Sequence, residues 1–443
     1  MFKRVLIANR GEVALRIIRA CRKLKIETVA IYAKVEEHSR FVQAADFTYC
    51  VGPDTAQSSY LNREGILMAA LLSGADAIHP GYGFLAEDAL FAEMCAECDL
   101  TFIGPKPAMI RLMADKAAAK NYAKTQGVPI IPGASAITSV EQLKQAAQAV
   151  GYPVMLKASL GGGGKGMRVI YNEVHLQQKY HLIQEEAQQN FLNDAIYLEK
   201  YLTVARHIEV QILKDHVGNL QIIGDRECSL QLNHQKVVEE SPATILQPQQ
   251  RQQLYDLAKR LLAKLDYCGL GTLEFLFANQ QFYFLEMNTR LQVEHGVTEL
   301  TSGIDLVTTQ IKLAAGQVVH PGILSFNGHA IEVRLNAQAA AKQHLLATGK
   351  LTQLRFPATG RIDTGYQKDD IIQPYYDALL AKLIVSDTTR KRAIAKMQQT
   401  LRQTHVAGVG TNLATLKQIL NSPAYNANQI DIHFLEQMEG AVQ

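Results

Sequence analysis

The chain has 443 residues, 47% of them hydrophobic and 20% charged, with a formal charge of +3. That length exceeds one ordinary core and predicts two or three domains of a soluble globular protein. The balanced charge excludes nucleic acid as an obligatory partner, because backbone binding needs a concentrated basic face.

In chain order, VLIA (residues 5–8) predicts a buried strand, GEVALRIIRACRKL an amphipathic helix and TVAIYA (28–33) the next strand. The N-terminal apolar runs are broken by Asn9, Arg10, Glu12 and Arg16, which excludes a signal peptide or a membrane span. Strand–helix–strand alternation implies a parallel sheet covered by helices. Ala77-Ile78 runs into the turn His79-Pro80-Gly81-Tyr82-Gly83, at the kind of strand end that carries ligand-binding residues.

Six cysteines are too few for a disulfide framework at this length and fit a reducing cytosol. Cys95 and Cys98 form a lone CxxC without a second ligand pair, so they read as buried thiols and not as a zinc site. A helical stretch over 108–126 ends at Gly127-Val128-Pro129, and hairpins are expected to dominate 153–289. The tail opens with the strand IEVRLNA and closes with the helix KRAIAKMQQTLRQ.

Lys157-Ala158-Ser159-Leu160-Gly161-Gly162-Gly163-Gly164-Lys165-Gly166 is a glycine loop between two strand-like segments. Glycines let backbone N–H groups approach a polyphosphate, with lysines adding charge. Gly166 stands where a Walker A loop needs Ser or Thr, and a strand follows where a dinucleotide fingerprint needs a helix. The loop by itself fits both a phosphate-covering flap and a plain hairpin tip.

Residues 271–295, GTLEFLFANQQFYFLEMNTRLQVEH, predict a hairpin whose three-residue turn, centred on Gln280, sets Glu274 opposite Glu286. Facing carboxylates among phenylalanines repel, and a divalent cation would relieve them. Glu286, Asn288, Arg290, Gln292 and Glu294 alternate with Met287, Thr289, Leu291 and Val293, so one extended strand would present all five on one face. A solvated edge strand is the plain alternative, but Asn and Gln suit strands poorly.

The motifs IANRGEVALRIIRAC, AIHPGYGFLAED, IGPKPAMIRLMADK, GYPVMLKAS, HQKVVEESPA, GTLEFLF and EMNTRLQVEHGVTELTSGIDLV occur in this order, and with them the chain resembles the biotin carboxylase family along nearly its whole length. The resemblance implies an α/β and α+β architecture with an ATP-grasp fold. Residues 1–114 would form an N-terminal parallel-sheet domain, 115–327 the ATP-grasp domain with a lid at about 130–203, and 328–443 the C-terminal domain. It implies that Lys116 and Lys157 contact ATP phosphates under Gly163 and Gly164, and that Glu199, Lys200, Tyr201 and Leu202 receive adenine, with His207 and His234 nearby. Glu274, Glu286 and Asn288 would hold Mg²⁺, or Mn²⁺ in its place, and Lys236, Arg290, Gln292 and Val293 would hold bicarbonate. Glu294 would be the base, and Arg334 with Tyr82 would meet biotin, the carried substrate. Taken singly, Lys116 could be a solvated lysine, the histidines core or surface residues and Arg334 an ion-pair partner.

The implied activity is MgATP-dependent carboxylation of biotin by bicarbonate, the first half-reaction of acetyl-CoA carboxylase in fatty acid synthesis. The alternatives are another ATP-grasp ligase joining a carboxylate to an amine, or an inactive assembly subunit. The resemblance also implies a biotin carboxyl carrier protein and carboxyltransferase on separate chains, a homodimer and a cytoplasmic location. Leu232 and Asn233 replace two arginines usual in the family, and Gly296 replaces a proline after His295, which is expected to loosen the turn beside Glu294. Asn336-Ala337-Gln338-Ala339 replaces an acidic stretch, and residues 348–373, where relatives dimerise, match poorly.

Overall fold

The computed structural model describes residues 1–137, 139–158, 167–176, 179–183, 196–232, 235–339 and 345–440; at 135–136, 157–158, 167, 196 and 439–440 only the backbone is described. Gly163, Gly164 and His234 therefore lie outside the described residues, and so does Asn233.

Near the N-terminus β1 (Arg4–Ile7), β2 (Glu27–Ala33), β3 (Phe47–Gly52), β4 (Ala77–His79) and β5 (Thr101–Phe102) form a parallel sheet in the order β3-β2-β1-β4-β5. Parallel strands need helical crossovers, and the first is α1 (Gly11–Lys23), whose Val13, Ala14, Ile17 and Ile18 are buried. The core under α1 continues into Leu291, Leu306 and Ile311, so this unit packs on the rest of the chain through apolar contacts.

The expected helix over 108–126 is two helices, Pro107–Ala114 and Lys116–Thr125. Asp115 divides them: its backbone is extended and its carboxylate accepts from the N–H groups of Ala117 and Ala118. A short polar residue that caps a helix start breaks the ladder that periodicity alone would carry through.

A small antiparallel sheet follows, with β6 (Gly133–Ile137), β7 (Val154–Ala158), β8 (Met167–Ile170) and β9 (Ile196–Lys200) in the order β6-β9-β7-β8. β7 and β8 pair with Lys157 opposite Met167, so the glycine loop joins two hairpin strands, and the dinucleotide reading fails. Leu143, Val154, Leu156, Ile170 and Leu198 give this unit its own apolar core.

The central sheet is built from β10 (Arg206–Lys214), β11 (Leu220–Leu232), β12 (Gln235–Ser241), β13 (Gly269–Ala278) and β14 (Gln281–Asn288), with β15 (Gly322–Ile323) beside β11. It continues through β16 (His329–Asn336); β17 (Gly349–Lys350) and β18 (Gln353–Arg355) lie off it, whereas β19 (Arg361–Thr364) joins its far edge. β20 (Ile371–Ile372) pairs with β17, and β21 (Leu379–Asp387) lies between β16 and β19. β22 (His405–Ala407) pairs with β18. The order β14-β13-β10-β11-β12-β16-β21-β19 shows that β12 and β16 are hydrogen-bonded across the expected 327/328 boundary. One continuous sheet thus serves both the central and the C-terminal parts. The helix Arg390–Gln403 covers its end with Ala393, Ile394, Met397 and Leu401.

Cys95 is buried in the helix Ala89–Glu97, where burial pushes its thiol up to about 12, and Cys98 is half-buried just beyond the helix end. Both are free, as expected of structural thiols. Among the described residues no helix is long and apolar enough to cross a membrane.

Candidate active site

The turn of the β13–β14 hairpin has two residues and not three: Asn279 and Gln280, both with positive φ, link Ala278 to its partner Gln281. This is the backbone sense that two-residue hairpins favour. With that turn alone Glu274 would face Leu285. A bulge between Glu274 and Phe275 restores the expected pairing, and Glu274 lies opposite Glu286.

The strand then ends at Asn288, so the expected single extended face stops there. Arg290 and Gln292 lie in an irregular segment, and Glu294 is the N-cap residue of the helix His295–Ser302. Folding still brings the five polar groups together. Asn288 Nδ2 and Gln292 Nε2 both donate to Glu274 Oε1, at 2.7 and 2.8 Å. Arg290 Nη2 donates to Asn288 Oδ1 at 2.7 Å.

Lys236, on β12, is the centre of the charge arrangement. Its Nζ lies 2.6 Å from Glu294 Oε1 and 3.2 Å from Glu274 Oε1, and it also bonds Glu209. Burial opposes the Lys236 ammonium, but the carboxylates of Glu209, Glu274 and Glu294 outweigh it and hold its pKa well above the ordinary value. For Glu294, burial raises the carboxyl while Lys236, Arg334 and Arg226 lower it, and the balance is about 2. It is a carboxylate at neutral pH.

Arg334, on β16, reaches Glu294 Oε2 from the other side at 2.9 Å and is steadied by Glu239, 2.6 Å from its Nε. Gln292 is held in turn by the fully buried Arg226, which also bonds Glu209 Oε2 at 2.9 Å and Thr298 Oγ1 at 2.9 Å. Arg290 Nε donates to Glu87 Oε2 at 2.8 Å, and Glu87 Oε1 accepts from the Thr289 N–H.

His207, on β10, lies 2.9 Å from Glu274 Oε2 and 3.3 Å from Glu209 Oε1. Burial lowers its pKa, but Glu274 and Glu209 raise it to about 9, so the ring carries a proton at neutral pH. The repulsion foreseen between Glu274 and Glu286 is thus met by protein cations: His207 and Lys236 at Glu274, and Lys116 at 3.4 Å from Glu286. Glu274, Glu286 and the amide oxygen of Asn288 still form an oxygen-only donor set, with Glu286 partly exposed to the cleft, and that set suits Mg²⁺.

The same cleft is also lined by Tyr197, Glu199, Lys200, Tyr201 and Leu202. Glu199 pairs with Lys120, and Lys200 Nζ donates to the carbonyls of Gly151 and Tyr152 at 2.9 Å each. Tyr201 Oη is 3.0 Å from His433 Nε2. Lys116, His207, Glu286, Arg290, Val293, Arg334 and Tyr82 line this cleft of about 1130 Å³ as well. Lys157 stands on β7, next to β9, with Tyr197 as its cross-strand partner.

Tyr82 belongs to the turn after β4. Gly81 and Gly83 have φ of +66° and +68°, and a Cβ at Gly81 would meet Asn9 Nδ2 at 2.8 Å. Asn9 Nδ2 donates to the carbonyls of Pro80 and Tyr82, which fixes the turn.

Sequence reasoning did not single out Glu87, Glu209, Arg226, Glu239 or Lys382. Glu209 was within reach, because it lies two residues from His207 on a strand and shares its face. Arg226 and Lys382 carry no local signal, because their partners lie far off in the chain: Thr298 for Arg226, and Val293 and Glu12 for Lys382.

Residues 1–110 match the family model described as biotin carboxylase, N-terminal domain, and residues 332–437 match the biotin carboxylase C-terminal domain. Residues 115–320 match the ATP binding domain of the carbamoyl-phosphate synthase L chain. The biotin carboxylase of Allochromatium vinosum is 43% identical over 446 residues, covering 99% of each chain. Biotin carboxylase 1 of Bacillus subtilis is 43% identical over 444 residues, covering 98% of each chain. The crystal structure of the biotin carboxylase domain dimer of Hydrogenobacter thermophilus 2-oxoglutarate carboxylase, in complex with MgADP, ADP and bicarbonate, matches with a TM-score of 0.95. It is 41% identical, with 100% of this chain and 99% of that one covered. Fold and matched domains define an ATP-dependent ligase of the ATP-grasp class. Within that class, this chain belongs to the biotin carboxylase family.

Proposed function

We propose that this chain carboxylates biotin with bicarbonate at the expense of ATP, through carboxyphosphate, and that the residues gathered around Lys236 carry out the chemistry. The observation that carries the reading is Lys236 at 2.6 Å from Glu294, with Arg334 on the opposite carboxylate oxygen, in one cleft with residues 199–202. Lys236, Arg290, Gln292 and Val293 hold bicarbonate. Glu294, kept ionised by Lys236, Arg334 and Arg226, takes the bicarbonate proton as a bicarbonate oxygen attacks the γ-phosphorus and ADP leaves. Arg334 and Tyr82 receive biotin; carboxyphosphate splits into CO₂ and phosphate, the phosphate takes the N1 proton of biotin, and the Arg334 guanidinium stabilises the enolate that attacks CO₂.

Lys116, Lys157, His207 and His234 contact the nucleotide, with Gly163 and Gly164 over its phosphates and residues 199–202 at the adenine. Glu274, Glu286 and Asn288 hold Mg²⁺, whose charge neutralises phosphate oxygens when bound. Three domains, 1–114, 115–327 and 328–443, divide these tasks, with the lid at about 130–203. We assign the chain to a cytoplasmic acetyl-CoA carboxylase as a homodimer, working with a separate biotinyl carrier and carboxyltransferase.

The test is ATP hydrolysis by the purified protein. It is expected to need bicarbonate and to rise on adding free biotin, with label from [¹⁴C]bicarbonate fixed on biotin. Hydrolysis that biotin does not raise would favour a carboxylate–amine ligase, and no hydrolysis at all would favour an inactive assembly protein.

A further inference from the structure

Lys382 lies on β21, fully buried, and is not part of the cleft wall. Its Nζ donates to the carbonyl of Val293 at 2.9 Å and lies 3.0 Å from Glu12 Oε1. Glu12, the second residue of α1, is itself buried, and the same Oε1 accepts a hydrogen bond from the Tyr82 hydroxyl. One carboxylate oxygen therefore stands between a buried ammonium and a phenol that faces the cleft. Asp363 is the only other acid within 4 Å of Lys382, at 3.9 Å among the described residues.

Burying an ammonium is costly unless it is fully engaged. Here the two close partners belong to opposite ends of the reaction as read above. Val293 precedes Glu294 and Tyr82 belongs to the turn after β4, and both line the cleft; in the functional reading the first serves bicarbonate and the second biotin. Glu12 cannot hold Tyr82 in place unless something fixes Glu12, and Lys382 is the cation that does so. The Tyr82 main chain is fixed separately by Asn9, so the link governs the phenol alone.

We infer that Lys382 is a positioning residue that couples the two substrate subsites, setting the Val293–Glu294 peptide directly and the Tyr82 phenol through Glu12. The inference rests on the functional reading above. A merely structural Lys382 would change stability and leave the substrate constants alone.

The experiment measures KM for biotin, bicarbonate and ATP, together with the melting temperature, for the full chain and its variants. Losing a hydrogen bond to a charged group corresponds to about tenfold in an equilibrium. Lys382→Met is expected to raise KM for biotin and for bicarbonate by about that factor and to leave the KM for ATP within about twofold. Lys382→Arg, which keeps the cation, should recover part of both. Glu12→Gln and Tyr82→Phe should each raise the biotin KM, and the double variant should be no worse than the worse single one, because both changes break one link.

Unmoved KM values in a folded Lys382→Met protein, or additive effects of Glu12→Gln and Tyr82→Phe, would overturn the inference. Should Lys382→Met fail to fold, the Glu12–Tyr82 cycle decides alone. Failure of biotin to stimulate the unmodified protein overturns the functional reading; normal kinetics in that protein beside unmoved constants in the variants overturns only this inference.

Discussion

Glu274 and Glu286 face each other across the β13–β14 ladder because a bulge offsets a two-residue turn. Their carboxylates then diverge: Glu274 turns to His207 and Lys236, Glu286 to Lys116. The first is buried and engaged by several donors, the second partly exposed and held, among the described residues, by one lysine. The two acids will therefore respond differently to substitution.

Glu286→Gln is expected to leave the fold intact, since an exposed ion pair contributes at most about 1 kcal/mol. Turnover should fall by about tenfold or more, with a larger Mg²⁺ requirement, because an oxygen ligand loses its charge. A magnesium titration of ATP hydrolysis checks this. An unchanged requirement would remove Glu286 from the metal site.

Arg290 offers its guanidinium to the cleft while Glu87 and Asn288 fix its direction. Arg290→Ala should abolish bicarbonate-dependent turnover. Glu87→Gln keeps one acceptor but removes the charge, so a milder loss of about tenfold is expected, mainly in the KM for bicarbonate. Equal kinetics for Glu87→Gln and the unmodified protein would show that the pair does no orienting.

How far such residues were legible from the sequence depended on the range of their partners. The glycine loop, the hairpin and the parallel N-terminal sheet follow from local patterns, and Glu274 opposite Glu286 came out right. It did so through compensating features, a turn one residue shorter than expected and a bulge that restores the register. Period-two spacing failed after Asn288 because Glu294 caps a helix, so convergence there comes from tertiary bonds to Lys236, Arg226 and Arg334. Those cations sit on three other strand segments, and no spacing rule in one sequence relates them. Asp115 shows the reverse case, a local cap that divides a helix where apolar periodicity runs straight through.

His207 yields a pH prediction. Its pKa rises in the folded protein from 6.5 to about 9, because Glu274 and Glu209 outweigh burial. The protonated ring therefore contributes stability that is complete below pH 6.5 and lost as pH climbs through 9. The contribution is on the order of 3 kcal/mol. Urea unfolding of the unmodified protein and of His207→Gln should show a gap that shrinks steadily over that window. A gap independent of pH would mean that the ring is neutral.

Gly296 was expected to loosen the turn beside Glu294, yet it is buried within the helix His295–Ser302. A Cβ there would meet Ile384 Cδ1 at 2.3 Å and Glu332 Oε2 at 2.9 Å, so β16 and β21 already fill the space a larger residue would use. Alanine normally favours a helix over glycine by about 1 kcal/mol, but overpacking a core costs about 1–3 kcal/mol. Gly296→Ala should therefore destabilise the protein despite its better propensity. Ile384→Val removes the nearer clashing atom at a cost of about 0.5–1.5 kcal/mol on its own. The double variant should consequently be more stable than the sum of the two single changes predicts, as read from the urea midpoints. Strict additivity would show that the strand side chains do not confine position 296, and that the space beside Glu294 is looser than its packing implies.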